Sequence, residues 1–256
     1  MLCHERLGVE SYAHIIEPQR EVPSGALEGL QADMERLRKG EPIQYVLGYA
    51  WFRDRKFKVG PSVLIPRPET QQLVDLALEG LGSGAAVLDL CTGSGCIAWS
   101  IALEAGDAAV TGVDISDAAL EMAESQMGGA AGRPVFLKAD VLEGADGLPQ
   151  GPFDLITSNP PYVMESEKQA MRSNVLDYEP GLALFVPDND PLLFYKAIAG
   201  IADRLLRPGG KGVVEINEAL SAETAALFSG SRFENVCEIC DYFGKKRFIS
   251  FRKRAI

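Results

Sequence analysis

Val87-Leu-Asp-Leu-Cys-Thr-Gly-Ser-Gly-Cys-Ile-Ala98 decides the fold. Residues 86–90 are a short apolar run suited to a buried strand, the glycine-rich turn follows, and a helical pattern starts after Gly95. Gly93 and Gly95 permit backbone angles and a close ligand approach that a Cβ would hinder. The next helix offers unpaired N–H groups to a carboxylate or phosphate. Gly93-x-Gly95-x-x-Ala98 also satisfies the dinucleotide fingerprint, so the loop alone leaves the choice of nucleotide cofactor open.

Downstream, strand and helix patterns alternate. Strands are predicted over 109–113, 135–137, 153–157 and 212–216, and helices over 117–127, 191–206 and 219–228. Two final strands lie near 234–240 and 247–252. This order predicts an α/β fold with a parallel sheet covered on both faces. Upstream, Leu64-Ile-Pro-Arg-Pro-Glu-Thr70 holds an extended segment, and a helix begins at Glu69. The β-formers from Tyr45 to Val59, broken by Arg53-Asp54-Arg55, predict a hairpin linking this core to an earlier part. In that part Leu27, Leu30, Met34 and Leu37 mark one amphipathic helix. A weaker helical segment holds Leu7, Val9, Tyr12, Ala13 and Ile16. The expected division is a helical substrate-recognition domain at 1–42, a hairpin linker at 43–62 and a catalytic domain at 63–256.

The 256 residues are 46% hydrophobic, enough for one α/β core with a small accessory domain. No long uncharged apolar run occurs, and Met1-Leu-Cys-His-Glu-Arg6 lacks the order of a signal peptide, so a cytoplasmic location without membrane attachment is expected. With 25 Lys and Arg against 36 Asp and Glu, the net charge of -11 argues against stable nucleic-acid binding. Basic clusters at 53–58 and 245–254 fit charge-protected strand edges at least as well as a docking patch. Five cysteines make no disulfide framework. Cys237-x-x-Cys240 lies on a strand pattern that would put its thiols on opposite faces, so no metal is expected.

Three carboxylates and one tetrapeptide supply the chemistry. Asp114 ends the strand after the glycine loop, where it can accept hydrogen bonds from both hydroxyls of a ribose. Asp140 ends the following strand, beside the place for an adenine. A helix N-cap is the ordinary alternative for both. Asp89 precedes the loop, where it can receive a ligand ammonium through water or orient the loop. The strand 153–157 runs into Ser158-Asn-Pro-Pro-Tyr-Val163, in the crevice beyond the carboxyl ends of the strands. Consecutive prolines fix two φ values and remove two donors. The Asn159 side-chain oxygen and the Pro160 carbonyl can then accept both protons of one NH₂ group, with the Tyr162 ring on its flat face. Such a clamp suits a planar nitrogen whose delocalised lone pair makes it a poor nucleophile.

The sequence resembles the protein-(glutamine-N5) methyltransferases of the PrmC/HemK type. The resemblance spans almost the whole chain, through Gly40-Glu-Pro-Ile-Gln-Tyr-Val-Leu-Gly48, Leu64 to Thr70, Asp89 to Gly95, Ser158 to Tyr162, Tyr178-Glu-Pro180 and Pro208-Gly-Gly210. Asn-Pro-Pro-Tyr is shared with amino-methyltransferases of DNA and RNA, whereas the first two motifs are more specific. The resemblance implies a Rossmann-like seven-stranded class I methyltransferase core, S-adenosyl-L-methionine as methyl donor and S-adenosyl-L-homocysteine as product. It implies class-1 peptide chain release factors as partners, with the glutamine of their Gly-Gly-Gln motif as substrate. Asn159, Pro160, Pro161 and Tyr162 would hold the amide. Cys91, Thr92, Gly93, Ser94, Gly95, Asp114, Val141 and Asn159 would line the cofactor site, and Asp89 and Asp140 stand at motif positions. Two departures are visible: Cys91 stands where the family commonly has glycine, and the helical segment before Gly40 is shorter than in many members.

Three other readings compete. An adenine-N6 or guanine-N2 methyltransferase shares the tetrapeptide but sits poorly with the acidic balance. A non-catalytic module would have no use for the intact loop, Asp114 and tetrapeptide together. An NAD-dependent oxidoreductase would leave Asn-Pro-Pro-Tyr without a role.

Overall fold

The computed structural model describes residues 1–256 apart from Ser11, Ala130, Ala131 and Ile256. The chain opens with α1 (Leu2–Leu7), α2 (Ala13–Ile16), α3 (Ser24–Arg38) and α4 (Ile43–Leu47). Leu2, Leu30 and Val46 form a small buried centre with Leu7, Leu37, Ile43 and Leu47 around it. Arg6 ties these helices together, its Nε donating to the Asp33 carboxylate at 2.7 Å and its Nη2 to the Val46 carbonyl at 3.1 Å. Tyr45 and Val46, read from sequence as part of the hairpin, lie instead in α4. Pro42 presets the backbone at the helix start, Gly48 ends it at φ 83°, and the two β-formers serve burial rather than pairing.

The hairpin is β1 (Tyr49–Phe52) and β2 (Arg55–Lys58). Arg53 and Asp54 form its two-residue turn at φ 48° and 56°. Its basic residues are consumed within the fold: Glu104 pairs with Arg53 at 2.5 Å and Arg55 at 2.7 Å, and Asp75 pairs with Arg53 at 2.6 Å. Tyr45 donates to the Val63 carbonyl at 2.6 Å, and Ala50, Val59 and Val63 pack with Ala119, which seats the hairpin on the larger part of the chain.

After the hairpin come α5 (Thr70–Leu78), β3 (Ala86–Leu90), α6 (Cys96–Ala105), β4 (Ala109–Asp114), α7 (Asp117–Glu124) and β5 (Val135–Lys138). Next are β6 (Phe153–Ser158), β7 (Val163–Met164), α8 (Ser173–Leu176) and β8 (Phe185–Val186). The chain finishes with α9 (Leu193–Leu205), β9 (Leu206–Glu215), α10 (Ser221–Leu227), β10 (Phe233–Cys240) and β11 (Lys246–Lys253). The main sheet has seven strands among the described residues, in the order β10-β11-β9-β6-β3-β4-β5, while β7 and β8 pair separately.

The five strands from β9 to β5 are parallel, but β11 is antiparallel to both of its neighbours. The parallel sheet expected from the alternation of strands and helices is present in these five strands, and β11 runs against it. Residues 241–245 are too few for a crossover helix, so β10 must return by a hairpin. Val87, Leu155, Val213 and Phe248 face α5 and α6, meeting Leu73, Val74, Ile97 and Ile101. Leu88, Ile156, Val214 and Ile249 face α9, meeting Tyr195, Ile198 and Ile201. Burial on both faces explains why these strands are apolar throughout rather than alternating.

Near β10 and β11, Lys245 pairs with Glu218, Lys246 with Glu238 and Arg247 with Asp241. Cys237 and Cys240 are free and both exposed. A register irregularity falls between Ile239 and Cys240, so simple alternation does not describe the pair. Among the described residues no helix is long and apolar enough to cross a membrane.

Candidate active site

A cavity of about 310 Å³ opens at the carboxyl ends of β3, β4 and β6. The loop after β3 brings Cys91, Thr92, Gly93 and Ser94 to it, and the end of β4 brings Asp114. Asp140 and Val141 come from the turn after β5, and Asn159 and Pro161 from the tetrapeptide after β6. Strand ends converge there because the parallel strands all point the same way.

The geometry gives each carboxylate a distinct task. Asp114 accepts hydrogen bonds from the Gly93 N–H at 2.9 Å and the Ser116 N–H at 3.0 Å, one on each oxygen. The strand-end acid thus sets the position of the loop and keeps lone pairs toward the cavity. Burial raises its carboxyl above the usual range, and the Ser116 and Gly93 amides pull it back. Asp140 caps the turn Val141–Gly147 by accepting from the Leu142 N–H at 2.8 Å, while also lining the cavity.

Asp89 is fully buried and is absent from the cavity wall. It accepts from the hydroxyls of Thr92 at 2.6 Å and Thr157 at 2.8 Å, so it orients the loop from behind. Burial pushes its carboxyl up to about 7 against the pull of those two hydroxyls. Gly95 also lies behind the wall, where an added Cβ would meet Ala123 at 3.0 Å. Cys91 lines the cavity at φ 58°, a left-handed angle. Burial, then the nearby Asp114 and Asp89 carboxylates, push its thiol far above the ordinary range.

In the tetrapeptide, Asn159 Nδ2 donates to the Thr70 hydroxyl at 3.3 Å. Pro160 and Tyr162 do not line the cavity. The Tyr162 hydroxyl donates to Glu215 at 3.0 Å, and Asn217 Nδ2 donates to the Tyr162 carbonyl at 3.1 Å, so the turn is braced from behind.

Sequence reasoning quoted Leu64 to Thr70 as a motif without assigning its residues to the site. Leu64, Pro66, Arg67 and Thr70 in fact form one wall of the cavity. Glu179, itself buried, clamps this wall by accepting from the Ile65 N–H at 3.1 Å and from Arg67 at 2.7 Å. The segments Leu64 to Thr70 and Tyr178 to Pro180 therefore share a physical cause: one holds the other at the cavity mouth.

Comparison with known proteins places this geometry. The model of the methyltransferase small domain matches residues 69–177, and that of the PrmC N-terminal domain matches residues 1–48. A release factor glutamine methyltransferase of Bacteroides thetaiotaomicron is 43% identical over 98% of this chain and 90% of its own length. The chain belongs to the release factor glutamine methyltransferase family. The Flavobacterium psychrophilum relative of the same name is 39% identical over 94% of this chain and 85% of its own. Among solved structures, a methyltransferase from Pyrococcus furiosus shares the fold at TM-score 0.58 and 18% identity, covering 88% of this chain and 100% of that one. The protein is accordingly an enzyme of the methyltransferase class with S-adenosyl-L-methionine as its methyl donor.

The residues present fit that donor. The cavity is lined largely by apolar side chains such as Ile97, Ile115, Val141 and Leu142, with few polar groups, a balance suited to a flat heterocycle bearing a polar tail. Asp114 stands pre-oriented among them.

Proposed function

We propose that this enzyme methylates N5 of the glutamine side chain in the Gly-Gly-Gln motif of class-1 peptide chain release factors. The observation that carries the reading is the meeting of Asn159, the glycine loop and the Leu64 to Thr70 wall around one cavity, in a chain of this family. When bound, S-adenosyl-L-methionine supplies a methyl group on a sulfonium, ready for in-line transfer to a nucleophile.

Asp114 would hold the ribose hydroxyls of that donor, Cys91 to Ser94 its amino-acid end, and Val141 with Asp140 the adenine side. Asp89 and Gly95 support the loop rather than touch the ligand. Asn159 Oδ1, at the cavity, and the Pro160 carbonyl, next to it in the chain but not on the cavity wall, would accept the two amide protons of the substrate, turning its nitrogen lone pair toward the methyl group. Tyr162 and Pro161 keep that turn rigid, and proximity with orientation supplies most of the rate. No strong base is needed, because the proton leaves after the methyl group has moved.

Residues 1–42 are proposed as the part that recognises the body of the release factor, 43–62 as the connecting segment, made of α4 packed on those helices and the hairpin after it, and 63–256 as the catalytic part. The deciding experiment incubates the protein with labelled S-adenosyl-L-methionine and an unmethylated class-1 release factor, then maps the methyl group by mass. Label on the Gly-Gly-Gln glutamine is the expected result. Label only on added DNA or RNA would replace this reading with a nucleic-acid methyltransferase.

A further inference from the structure

We infer that Glu215, acting through the Thr70 hydroxyl, is a positioning residue that fixes which way the Asn159 amide faces; the inference rests on the amide-clamp reading above. Glu215 ends β9 and is buried, with one oxygen accepting from the Thr70 hydroxyl at 2.7 Å and the other from the Tyr162 hydroxyl at 3.0 Å. Thr70 opens α5 and also lines the cavity. Its hydroxyl has a single proton, and that proton is given to the carboxylate. Its lone pairs therefore face Asn159, and the only part of an asparagine amide that can meet a lone pair is the NH₂ group. The observed bond runs that way, from Asn159 Nδ2 to Thr70 at 3.3 Å. Oδ1 is then the atom left for the cavity.

The consequence is chemical. A clamp for an incoming NH₂ group works only if it presents acceptors, and a flipped Asn159 would present two donors to two donors. Both Glu215 oxygens act as acceptors, which sets the direction of both bonds. Burial raises this carboxyl, while the Thr70 and Tyr162 hydroxyls and the Arg247 guanidinium draw it back toward the charged form. The same carboxylate also grips Tyr162, so one buried group braces both ends of the tetrapeptide. Tyr195 holds the strand end in place by donating to the Glu215 backbone carbonyl at 3.1 Å.

The test compares Thr70→Val, Thr70→Ser, Glu215→Gln and Asn159→Ala in the full chain, with labelled S-adenosyl-L-methionine and an unmethylated class-1 release factor. Thr70→Val keeps the shape and loses the hydroxyl. It is expected to lower the single-turnover rate at saturation by about tenfold or more with donor affinity nearly unchanged, and to lower Tm, because one oxygen of the buried Glu215 loses its donor. Thr70→Ser should restore the rate. Glu215→Gln presents an NH₂ group to one hydroxyl and should lower the rate by at least as much. On the Asn159→Ala background, Thr70→Val should have little further effect, because both changes remove one interaction.

A Thr70→Val rate within about twofold of the parent, no rescue by serine, or full additivity with Asn159→Ala would each overturn the relay. Should Thr70→Val not fold, Tyr162→Phe combined with Glu215→Gln decides instead. A shared carboxylate predicts that the pair loses less than the product of the single losses, and full multiplicativity would overturn it. If Asn159→Ala itself keeps a normal rate, the clamp fails and the relay with it. If only Asn159→Ala is slow, the clamp stands and the relay is wrong.

Discussion

Cys91 holds a backbone angle, φ 58°, that side chains with a Cβ occupy at a cost of roughly 1–2 kcal/mol. Glycine would relieve that strain but bring back about 0.5–1 kcal/mol of chain entropy, so Cys91→Gly should change stability by no more than about 1 kcal/mol. Cys91→Val, β-branched at the same angle, should cost about 1–3 kcal/mol and weaken donor binding. Urea denaturation and calorimetry check both. Asp114→Ala should weaken S-adenosyl-L-methionine binding by about 1.5–3 kcal/mol, the range for hydrogen bonds to a charged group. Unchanged affinity in a folded variant would remove Asp114 from the site. Asp89 gives a pH dependence. Its carboxyl is raised to about 7 in the fold from 3.8, so the folded state holds the proton more tightly than the unfolded chain. Its favourable contribution is complete below the lower value and is lost as pH rises toward about 7. Asp114 and Glu215, raised in the same direction, act alike. Carboxyls held low, such as those of Glu104, Asp154 and Asp188, act in the opposite sense, so the Asp89 contribution is read as a difference: the midpoint of the parent should fall relative to that of Asp89→Asn as pH rises from 3.8 to about 7. These loop residues were legible because one short segment carries them with its strand and its glycines. Thr70 and Glu215 were not, because they stand 145 residues apart and meet only once the sheet has formed.

Pairing and packing fixed what local pattern could not. The apolar runs of β3, β4 and β6 announced buried strands, since nothing else short and uninterrupted buries on two faces. The strand character of Tyr45 and Val46 misled, because the choice between α4 and a hairpin was made by Pro42, Gly48 and the buried centre that Val46 completes. β9 begins at Leu206, earlier than expected, with Pro208-Gly-Gly210 inside its span and a register shift opposite Phe153 to Leu155 absorbing the irregularity. At Gly212 the tip of the Phe251 ring on β11 occupies the place of a side chain, so a Cβ would fall 2.1 Å from Phe251 Cζ. Gly212→Ala must displace that ring, which itself packs against Phe228 and Phe233. The expected loss is about 1–3 kcal/mol, read as a lower urea midpoint with an unchanged slope. A variant as stable as the parent would show that Phe251 has room to move.

Taken together, the helices before the hairpin and the sheet behind it meet through few side chains, among them Tyr45 with Val63 and Tyr178 with the Lys39 carbonyl. Removing residues 1–42 should therefore leave donor affinity within about threefold, roughly 0.6 kcal/mol, while methylation of intact release factor falls by at least about tenfold. Equal methylation by the shortened protein would overturn the assignment of recognition to that part. The position of β11 has a different bearing. It is the latest of the seven strands in the sequence, yet it lies between β10 and β9 rather than at an edge. During synthesis β9 and β10 emerge first and must wait, each with an open row of N–H and C=O groups, until β11 is inserted between them. Glu215 pairs with Phe248 of β11, so its burial also waits for that insertion. A nascent chain can therefore present its glycine loop before Glu215 is covered, and the proposed amide clamp is braced only once β11 has taken its place between β10 and β9.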